Sequence, residues 1–475
     1  MICINFKNLA INFGYSIGSN LLSLFISIFV TLVIPKIIGV QEYGYWQLYI
    51  FYSTYAGFSH FGWADGVYLR FGGAEYENLD KKIFFSQFLM YVSNQLIISF
   101  ITFIIIFLNV KSFDSDSFFI ILATLVTMII VNTQFFLNFI LQATNRFKES
   151  SIITVIERVI YLFGIFILLF TFNKNYKMMI IFDILGKTIS LIYAMYICKD
   201  IVRQPISNFK FTWNETKNNI LSGSKLLYSN LASQMIVGVS RFGIERQWGI
   251  TTFGKISLTL SISNLFMVFV SALGNVIYPV LRKISIEKLS NFYNVTRNVV
   301  SVFSFGLLVL YYPIKVVLVY WLPQYELSLN YMGILLPIVV FESRVSLLLN
   351  PLLKALRREN EMVRLNLVSL IISAILTIFG AFIIQNIDFT VFAILVTISI
   401  RSLLGEIVIS RVFNLNLVTS YFYEFFLVTI FICSAWYLDS ILTLYVYFSA
   451  YLLYLILNFG KIRNSFKILF GYFYQ

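Results

Sequence analysis

The sequence predicts an all-α polytopic membrane protein with fourteen transmembrane helices, built as two six-helix bundles in tandem plus two C-terminal helices. Three observations lead there. Of 475 residues, 59% are hydrophobic and 12% charged, with mean hydropathy +0.83; a soluble chain carries about 25% charged residues. Fourteen windows approach the roughly 20 apolar residues that cross a bilayer as a helix: 14–34, 45–64, 84–108, 117–141, 151–172, 178–198, 226–244, 256–278, 298–321, 331–353, 365–384, 389–409, 421–438 and 441–460. The third observation is that the first half of the chain recurs in the second.

The recurrence starts in the first window. At a shift of 210 positions, Ser19-Asn20-Leu21 falls on Ser229-Asn230-Leu231, Ile34 on Ile244, Lys36 on Arg246, Gly39 on Gly249 and Tyr43-Gly44 on Phe253-Gly254. At a shift of 212, Leu69-Arg70 falls on Leu281-Arg282 and Leu137-Asn138 on Leu349-Asn350, and Leu141, Ala143 and Arg146 match Leu353, Ala355 and Arg358. Leu matches come cheaply in such a chain; Gly, Asn and basic matches in one register do not. Six windows separate the copies, an even number, so both enter the membrane in the same direction. A pseudo-two-fold axis along the membrane normal is expected, with a cleft between the bundles. The domains expected are 1–198, the first bundle; 199–225, a cytoplasmic linker; 226–410, the second bundle; and 411–475, helices 13 and 14 with a cytoplasmic tail.

Orientation follows from the basic residues. With the N-terminus in the cytoplasm, the inside segments hold 23 of the 35 Lys and Arg: Lys7; Arg70, Lys81, Lys82; Arg146, Lys148; Lys199, Arg203, Lys210, Lys217, Lys225; Arg282, Lys283, Lys288, Arg297; Lys354, Arg357, Arg358, Arg364; Arg411; and Lys461, Arg463, Lys467. The outside segments hold six: Lys36, Lys111, Lys174, Lys177, Arg241 and Arg246. Both termini are therefore expected inside. The first apolar run is too long for a signal-peptide core and ends in Pro-Lys, so it is expected to stay as a span.

Charges within the spans are the candidate site. A charge at the bilayer centre costs about 2.5–3.5 kcal/mol on insertion scales and faces protein or water. Lys187, Arg344 and Arg401 fall near the middle of helices 6, 10 and 12, and Arg158 about 10 Å into helix 5. Lys255 and Lys315 sit near span ends and can snorkel. The carboxylates nearby are Glu157, Asp183, Glu342 and Glu406. Asp183 and Lys187 are four apart and can pair on one face. Glu342 and Arg344 point to different faces, and Arg401 and Glu406 are five apart, so both arginines need a partner on another helix or on a ligand. The opening helices of both copies also carry a polar face, Ser16, Asn20, Ser23 and Ser27 in one, Ser229, Asn230, Ser233 and Gln234 in the other. Such a face packs helices together or holds a polyhydroxylated solute.

Other chemistry finds no support. Cys3, Cys198 and Cys433 have neither pairing nor metal spacing. The single histidine, His60, reads as a polar residue near a helix end. No nucleophile–base set and no phosphate loop stands out, so neither cofactor nor metal is expected. The net charge of +13 lies in membrane-flanking loops and does not point to nucleic acid.

The Pro-Lys-Ile-Ile-Gly-Val-Gln-Glu-Tyr-Gly-Tyr segment at 35–45 and Leu-Gln-Ala-Thr-Asn-Arg-Phe-Lys at 141–148, within two echoing six-helix units, resemble the Wzx-type polysaccharide repeat-unit flippases. These belong to the multidrug/oligosaccharidyl-lipid/polysaccharide (MOP) exporter superfamily. The resemblance implies two bundles around a basic cavity in the bacterial cytoplasmic (inner) membrane. It also implies transfer of undecaprenyl-diphosphate-linked oligosaccharide to the outer leaflet, for O-antigen or a related polymer. Polysaccharide polymerase and chain-length regulator would be partners. In that frame Arg344, Arg401, Lys187 and Arg158 attract the diphosphate and Asn20 and Asn230 face the glycan. Glu157, Glu342 or Glu406 would couple H+ or Na+. Helix 1 lacks the acidic residue often seen in multidrug extruders and the basic residues of peptidoglycan-precursor flippases. A cation-coupled antiporter on the same fold is the first alternative. An intramembrane glycan polymerase or ligase, which resembles its relatives in having a large outer loop, is the second.

Overall fold

The computed structural model describes residues 6–109, 114–171, 174–283, 286–415, 417–438 and 441–473. Cys3 and Lys111 lie outside the described residues, as do the side chains of Lys7, Ser16, Leu281, Arg282 and Lys283. Helices account for nearly all of the described chain, with no strand among the described residues. They divide into two compact units, Met1–Leu231 and Ala232–Gln475.

In the first unit, α1 (Phe6–Ile38) leads through Gly39 into α2 (Val40–Ala56), and a 3₁₀ turn, Gly57–His60, precedes the short α3 (Trp63–Arg70). Four helices follow: α4 (Lys81–Asn109), α5 (Ser115–Ala143), α6 (Phe147–Phe170) and α7 (Tyr176–Ile197). Asp114 caps α5 through the amide of Ser117 at 2.6 Å, and Asn175 caps α7 through that of Lys177 at 2.8 Å, satisfying donors that a helix start leaves open. α5 is the centre of the unit, packed against α2, α3, α4 and α7, with 61% of its apolar window buried.

The 199–225 stretch, expected as a linker, is built into this unit. It forms α8 (Lys199–Val202), a 3₁₀ turn at Ile206–Asn208 and the start of α9 (Trp213–Lys283). Gln87, 2% exposed, ties it down: its Nε2 donates to Thr212 Oγ1 at 2.7 Å and Thr216 Oγ1 at 3.0 Å, while its Oε1 accepts from Trp63 Nε1 at 2.8 Å. Arg70 adds an ion pair to Glu215 at 2.9 Å. Beside them α3 and α9 meet with no room for side chains. A Cβ on Gly66 would lie 1.8 Å from the Asn219 carbonyl oxygen, and one on Gly223 2.0 Å from that of Gly62.

The second unit takes the rest of α9, then α10 (Ile286–Val309), α11 (Tyr311–Trp321), α12 (Glu326–Leu329), α13 (Met332–Leu335), α14 (Ile338–Arg344), α15 (Asn350–Ala355), α16 (Glu359–Thr377) and α17 (Ile387–Phe413). Beyond the repeat lie α18 (Val418–Tyr437), α19 (Ile441–Leu457) and α20 (Phe459–Phe473). The span 332–355, made of α13 to α15, is the central one, with 89% of its apolar window buried. It is interrupted by a π-turn, Val345–Leu349. Pro351 lacks the N–H that would bond to the Leu347 carbonyl, and the turn before it widens, a feature that recurs at functional sites. The residues after 460, expected as a tail, form α20, which bends 72° from α19 and packs on α10, with Asn298 donating to Ser465 Oγ at 3.1 Å.

Among the described residues ten helices are long and apolar enough to cross a membrane, or eleven counting the bent pair at the C-terminus. The other three expected windows fall on α2, which has only 17 residues, and on the two halves of α9.

The repeat is visible in the backbone. Gly39 has φ 84° and ψ 175°; Gly249, its partner at a shift of 210, has φ 76° and ψ −177° and breaks α9 into two helices. This region is essentially closed to residues with a Cβ and costs about 1–3 kcal/mol to occupy. The shift of 212 has its own signature. Asn145 and Arg357 take φ of 60° and 53°, and the following amides, Arg146 and Arg358, reach back to Leu141 and Leu353, both at 2.8 Å. This Schellman closure ends a helix with a left-handed residue. Gly39→Ala and Gly249→Ala are each expected to lower stability by about 1–3 kcal/mol, read as a drop in melting temperature of detergent-purified protein. Gly57→Ala, at a helical glycine with nothing within 4 Å of its Cβ, should leave it unchanged. Equal melting of all three variants would remove the backbone argument.

Candidate functional site

In the second unit six charged residues of the helices form two groups. The larger is closed. Arg297 on α10 binds Glu406 on α17 through both Nε, at 2.6 Å, and Nη2, at 3.0 Å. Tyr293 adds its hydroxyl to Glu406 Oε1 at 3.0 Å. Arg344, at the end of α14, pairs through Nη1 with Glu424 of α18, and lies 3.5 Å from Glu406. Its Nη2 donates to Ser301 Oγ at 3.1 Å. The four charged side chains are at most 3% exposed. Two cations face two anions, which is how charge is tolerated away from water.

This arrangement corrects one expectation and meets another. Arg297, expected in a cytoplasmic loop, lies buried within α10. Arg344, expected to need a partner on another helix or on a ligand, is held by two carboxylates from α17 and α18. Glu424 carried the signal that could have found it, as the single charged residue of its window 421–438. Assigning that window to the region beyond the repeat hid it.

The smaller group is open on one side. Arg401 on α17 pairs through Nη2 with Glu342 on α14 and donates through Nη1 to Ser233 Oγ at 2.8 Å. The Arg401 side chain is 3% exposed, that of Glu342 27%. Arg401 thus finds its carboxylate on another helix, and Glu406, the one nearest in sequence, belongs to the larger group.

In the first unit Lys187 pairs with Asp183 on the same face of α7, as the spacing predicts. Asp183 also accepts the Tyr49 hydroxyl at 2.6 Å, and that hydroxyl is shared with Thr127 at 2.8 Å. Gln134 links α5 to α6 and α7, at 3.4 Å from Glu157 and 2.9 Å from Ser190. Arg158 is half-buried, and its Nε is buried without a hydrogen-bond partner. On the opening helices the repeat holds for burial as well: Ser19 and Ser229 are buried, while Asn20 and Asn230 are exposed. His60 accepts the Gly62 amide at 3.2 Å, a turn contact.

Where the first unit's helices end, a cavity of about 1010 Å³ is lined by Tyr76, Lys81, Arg146, Glu149 and Asp200 among others. Lys81 and Arg146 lie 3.5 and 4.5 Å from the Tyr76 ring, whose hydroxyl donates to Asp200 at 2.7 Å. Burial first, and the neighbouring negative groups after it, push the Tyr76 phenol well above its ordinary range. The charges pair internally, Arg146 with Glu149 at 2.9 Å and Lys81 with Asp200 at 3.4 Å. Among the described residues no group of three His, Cys, Asp or Glu side chains is placed to hold a metal.

No family model and no curated protein matches the sequence. Solved structures do match the chain. An inward-facing multidrug-resistance transporter of the MATE family superposes with TM-score 0.65 at 11% identity, over 83% of this chain and 98% of its own. The lipid II flippase MurJ in an inward closed conformation superposes with TM-score 0.65 at 14% identity, over 95% of this chain and 100% of its own. A MOP-superfamily transporter from Pyrococcus furiosus, described as having a binding pocket of reversed polarity, superposes with TM-score 0.51 at 12% identity over 86% of this chain. The fold is that of the MOP-superfamily transporters. Within this MOP-type fold the MATE superposition leaves about a sixth of the chain unmatched, and the MurJ superposition leaves about a twentieth. The helices beyond the repeat are no loose addition to it here, since Glu424 of α18 completes the ion cluster of α10, α14 and α17.

Proposed function

We propose that the protein is a flippase for undecaprenyl-diphosphate-linked oligosaccharide repeat units. It carries them by alternating access from the inner to the outer leaflet of the bacterial cytoplasmic membrane, with both termini cytoplasmic, for O-antigen or a related surface polysaccharide. The observation that carries this reading is the extent of the MurJ likeness, 95% of the chain, in a fold whose post-repeat helices are bound into the second unit by Glu424. The excess of Lys and Arg in alternate loops supports the orientation. A polysaccharide polymerase and a chain-length regulator would act on the product.

The pairings divide the work among the candidate residues. Arg344 and Glu406 hold the second unit together, because removing either from the cluster would leave buried charge uncompensated. Arg401 is the residue that meets the diphosphate: its partner Glu342 is partly exposed, so the guanidinium can exchange one carboxylate for a phosphate oxygen. Protonation of the released Glu342 would couple H+ movement to that exchange, and Na+ could neutralise it in the same way. Arg158, with a donor to spare, is the corresponding cation of the first unit, and Lys187 answers to Asp183 until a stronger anion approaches. Asn20 and Asn230 offer exposed amides to the glycan. A diphosphate of about two negative charges gains up to about 4–5 kcal/mol per 100 mV on moving outward against an inside-negative potential.

The test is deletion and complementation. Arg401→Ala, at wild-type protein level, is expected to lower export by about ten- to a hundred-fold, as loss of a charge-assisted hydrogen bond does, and to leave lipid-linked oligosaccharide on the cytoplasmic leaflet. Full rescue by this variant would remove Arg401 from the site. One observation favours the antiporter alternative: Glu157 is half-exposed and its hydrogen bond comes from the Gln134 amide. Substrate-stimulated proton uptake by purified protein, lost in Glu157→Gln, would establish that reading instead.

A further inference from the structure

A groove of about 550 Å³ runs along the first unit between α4 and the segment that leads into α9. Its walls include Trp63, Met90, Ile97, Phe209, Phe211 and Trp213. Ser93 and Asn94 are the polar residues of the lining. Phe209 and Phe211 both line the groove, and the Phe211 ring stacks on that of Trp213 at 6.3 Å and 2°. Phe211 and Trp213 are nevertheless 72% and 55% exposed. From Leu89 to Ile97 the groove follows α4 for about 12 Å. It then passes into a stripe of exposed Phe100, Ile101, Ile104 and Ile105 on the same helix, which in a bilayer faces hydrocarbon.

The segment that supplies one wall of the groove is basic. The segment 199–225 carries Lys199, Arg203, Lys210, Lys217 and Lys225 against Asp200 and Glu215. Both acids are already engaged, Asp200 with Lys81 at 3.4 Å and Glu215 with Arg70 at 2.9 Å. Arg203 and Lys210, in the same segment as Phe209 and Phe211, are exposed. The Lys210 amide donates to Ser86 Oγ at 3.0 Å, and Ser86 in turn bonds the carbonyl of Lys82, whose side chain is exposed. Cations therefore gather where α4 begins, and apolar wall leads from them toward the hydrocarbon.

We infer that this groove holds an anionic phospholipid, with one acyl chain against Phe209, Phe211 and Trp213 and its phosphate among Lys82, Arg203 and Lys210. Continuity with the lipid-facing stripe of α4 selects a lipid over a protein partner, and the paired acids leave a surplus of positive charge that selects an anionic headgroup. The inference is independent of what the protein transports.

Full-length protein in nanodiscs, with brominated phosphatidylglycerol or brominated phosphatidylcholine as quencher, tests it. Trp213→Phe isolates the Trp213 contribution to the fluorescence. That contribution is expected to reach half-quenching at about fivefold less phosphatidylglycerol than phosphatidylcholine, the preference that one cation near an anionic surface supplies. Arg203→Gln with Lys210→Gln, which leaves the apolar walls intact, should bring the two lipids to parity. Equal quenching of the parent by both lipids would overturn the anionic assignment, and quenching by neither would assign the groove to a protein surface instead. As a second readout, phosphatidylglycerol added to delipidated protein should raise its melting temperature, and the double variant should lose that gain; an equal gain in both would also overturn the inference.

Discussion

Arg344→Ala is expected to destabilise the purified protein by about 3–5 kcal/mol, the usual result of removing one member of a buried ion pair. The loss has two parts. The Glu424 carboxylate loses its closest cation, and Glu406 and Glu424 are then left to share Arg297, 3.6 Å from Glu424. Neither acid can turn to water, since both side chains are 1% exposed. Glu424→Gln should cost less, about 1–3 kcal/mol, because the amide still offers Arg344 an oxygen acceptor, although Arg297 and Arg344 then share the single charge of Glu406. Replacing Arg344 and Glu424 together with leucine should recover most of the loss, since paired apolar substitution of buried ions is often neutral or better. Denaturant unfolding of the three variants in detergent checks this order. If Arg344→Ala unfolded with the parent, the cluster would not be closed in the protein and Arg344 would return to the substrate site. This is also the physical distinction between Arg344 and Arg401: the first has no exposed partner to give up, the second has Glu342.

Gly223→Ala and Gly66→Ala are the second large effects. Each would insert a methyl group into backbone, at 2.0 Å from the Gly62 oxygen and 1.8 Å from the Asn219 oxygen respectively, far inside van der Waals contact. Backbone cannot rotate away as a side chain can. The crossing of α3 and α9 must open, at a cost of about 3 kcal/mol, the upper end for overpacking. Opening it also stretches the bonds from Gln87 to Thr212 and Thr216 and from Arg70 to Asn219, the last at 2.6 Å. Protease cleavage within 199–212 should therefore accelerate in both variants. Gly18→Ala, where nothing lies within 4 Å of the added Cβ, serves as the control. Cleavage at the parental rate would show that α3 and α9 do not cross this closely.

The expected windows locate the helices well, because a helix in hydrocarbon satisfies its own backbone and must be apolar along its length. The repeat was legible for a related reason. Gly39 and Gly249, and the turns at Asn145 and Arg357, are local backbone requirements, written where they act. Two features beyond the windows were harder to see. The 199–225 stretch reads as a linker because its charges and Pro205 interrupt the hydropathy, yet buried Gln87, with Arg70 and Ser86, ties it to the first unit. The residues after 460 looked like a tail because their apolar residues cover only one face of α20, and that face is filled by α10.

Among the charges, the one pairing foreseen is the one within a single helix, Asp183 with Lys187, whose spacing of four is itself a statement of geometry. Arg297 and Glu406 are 109 residues apart and Arg344 and Glu424 are 80 apart, on four different helices. The sequence alone determined that this is a doubled, many-helix membrane protein and where most of its helices run, because hydropathy and turn conformation depend on neighbours in the chain. Which charges neutralise one another was decided by the tertiary structure alone, because an ion pair depends on distance in space and its partners come from helices whose packing no local pattern records.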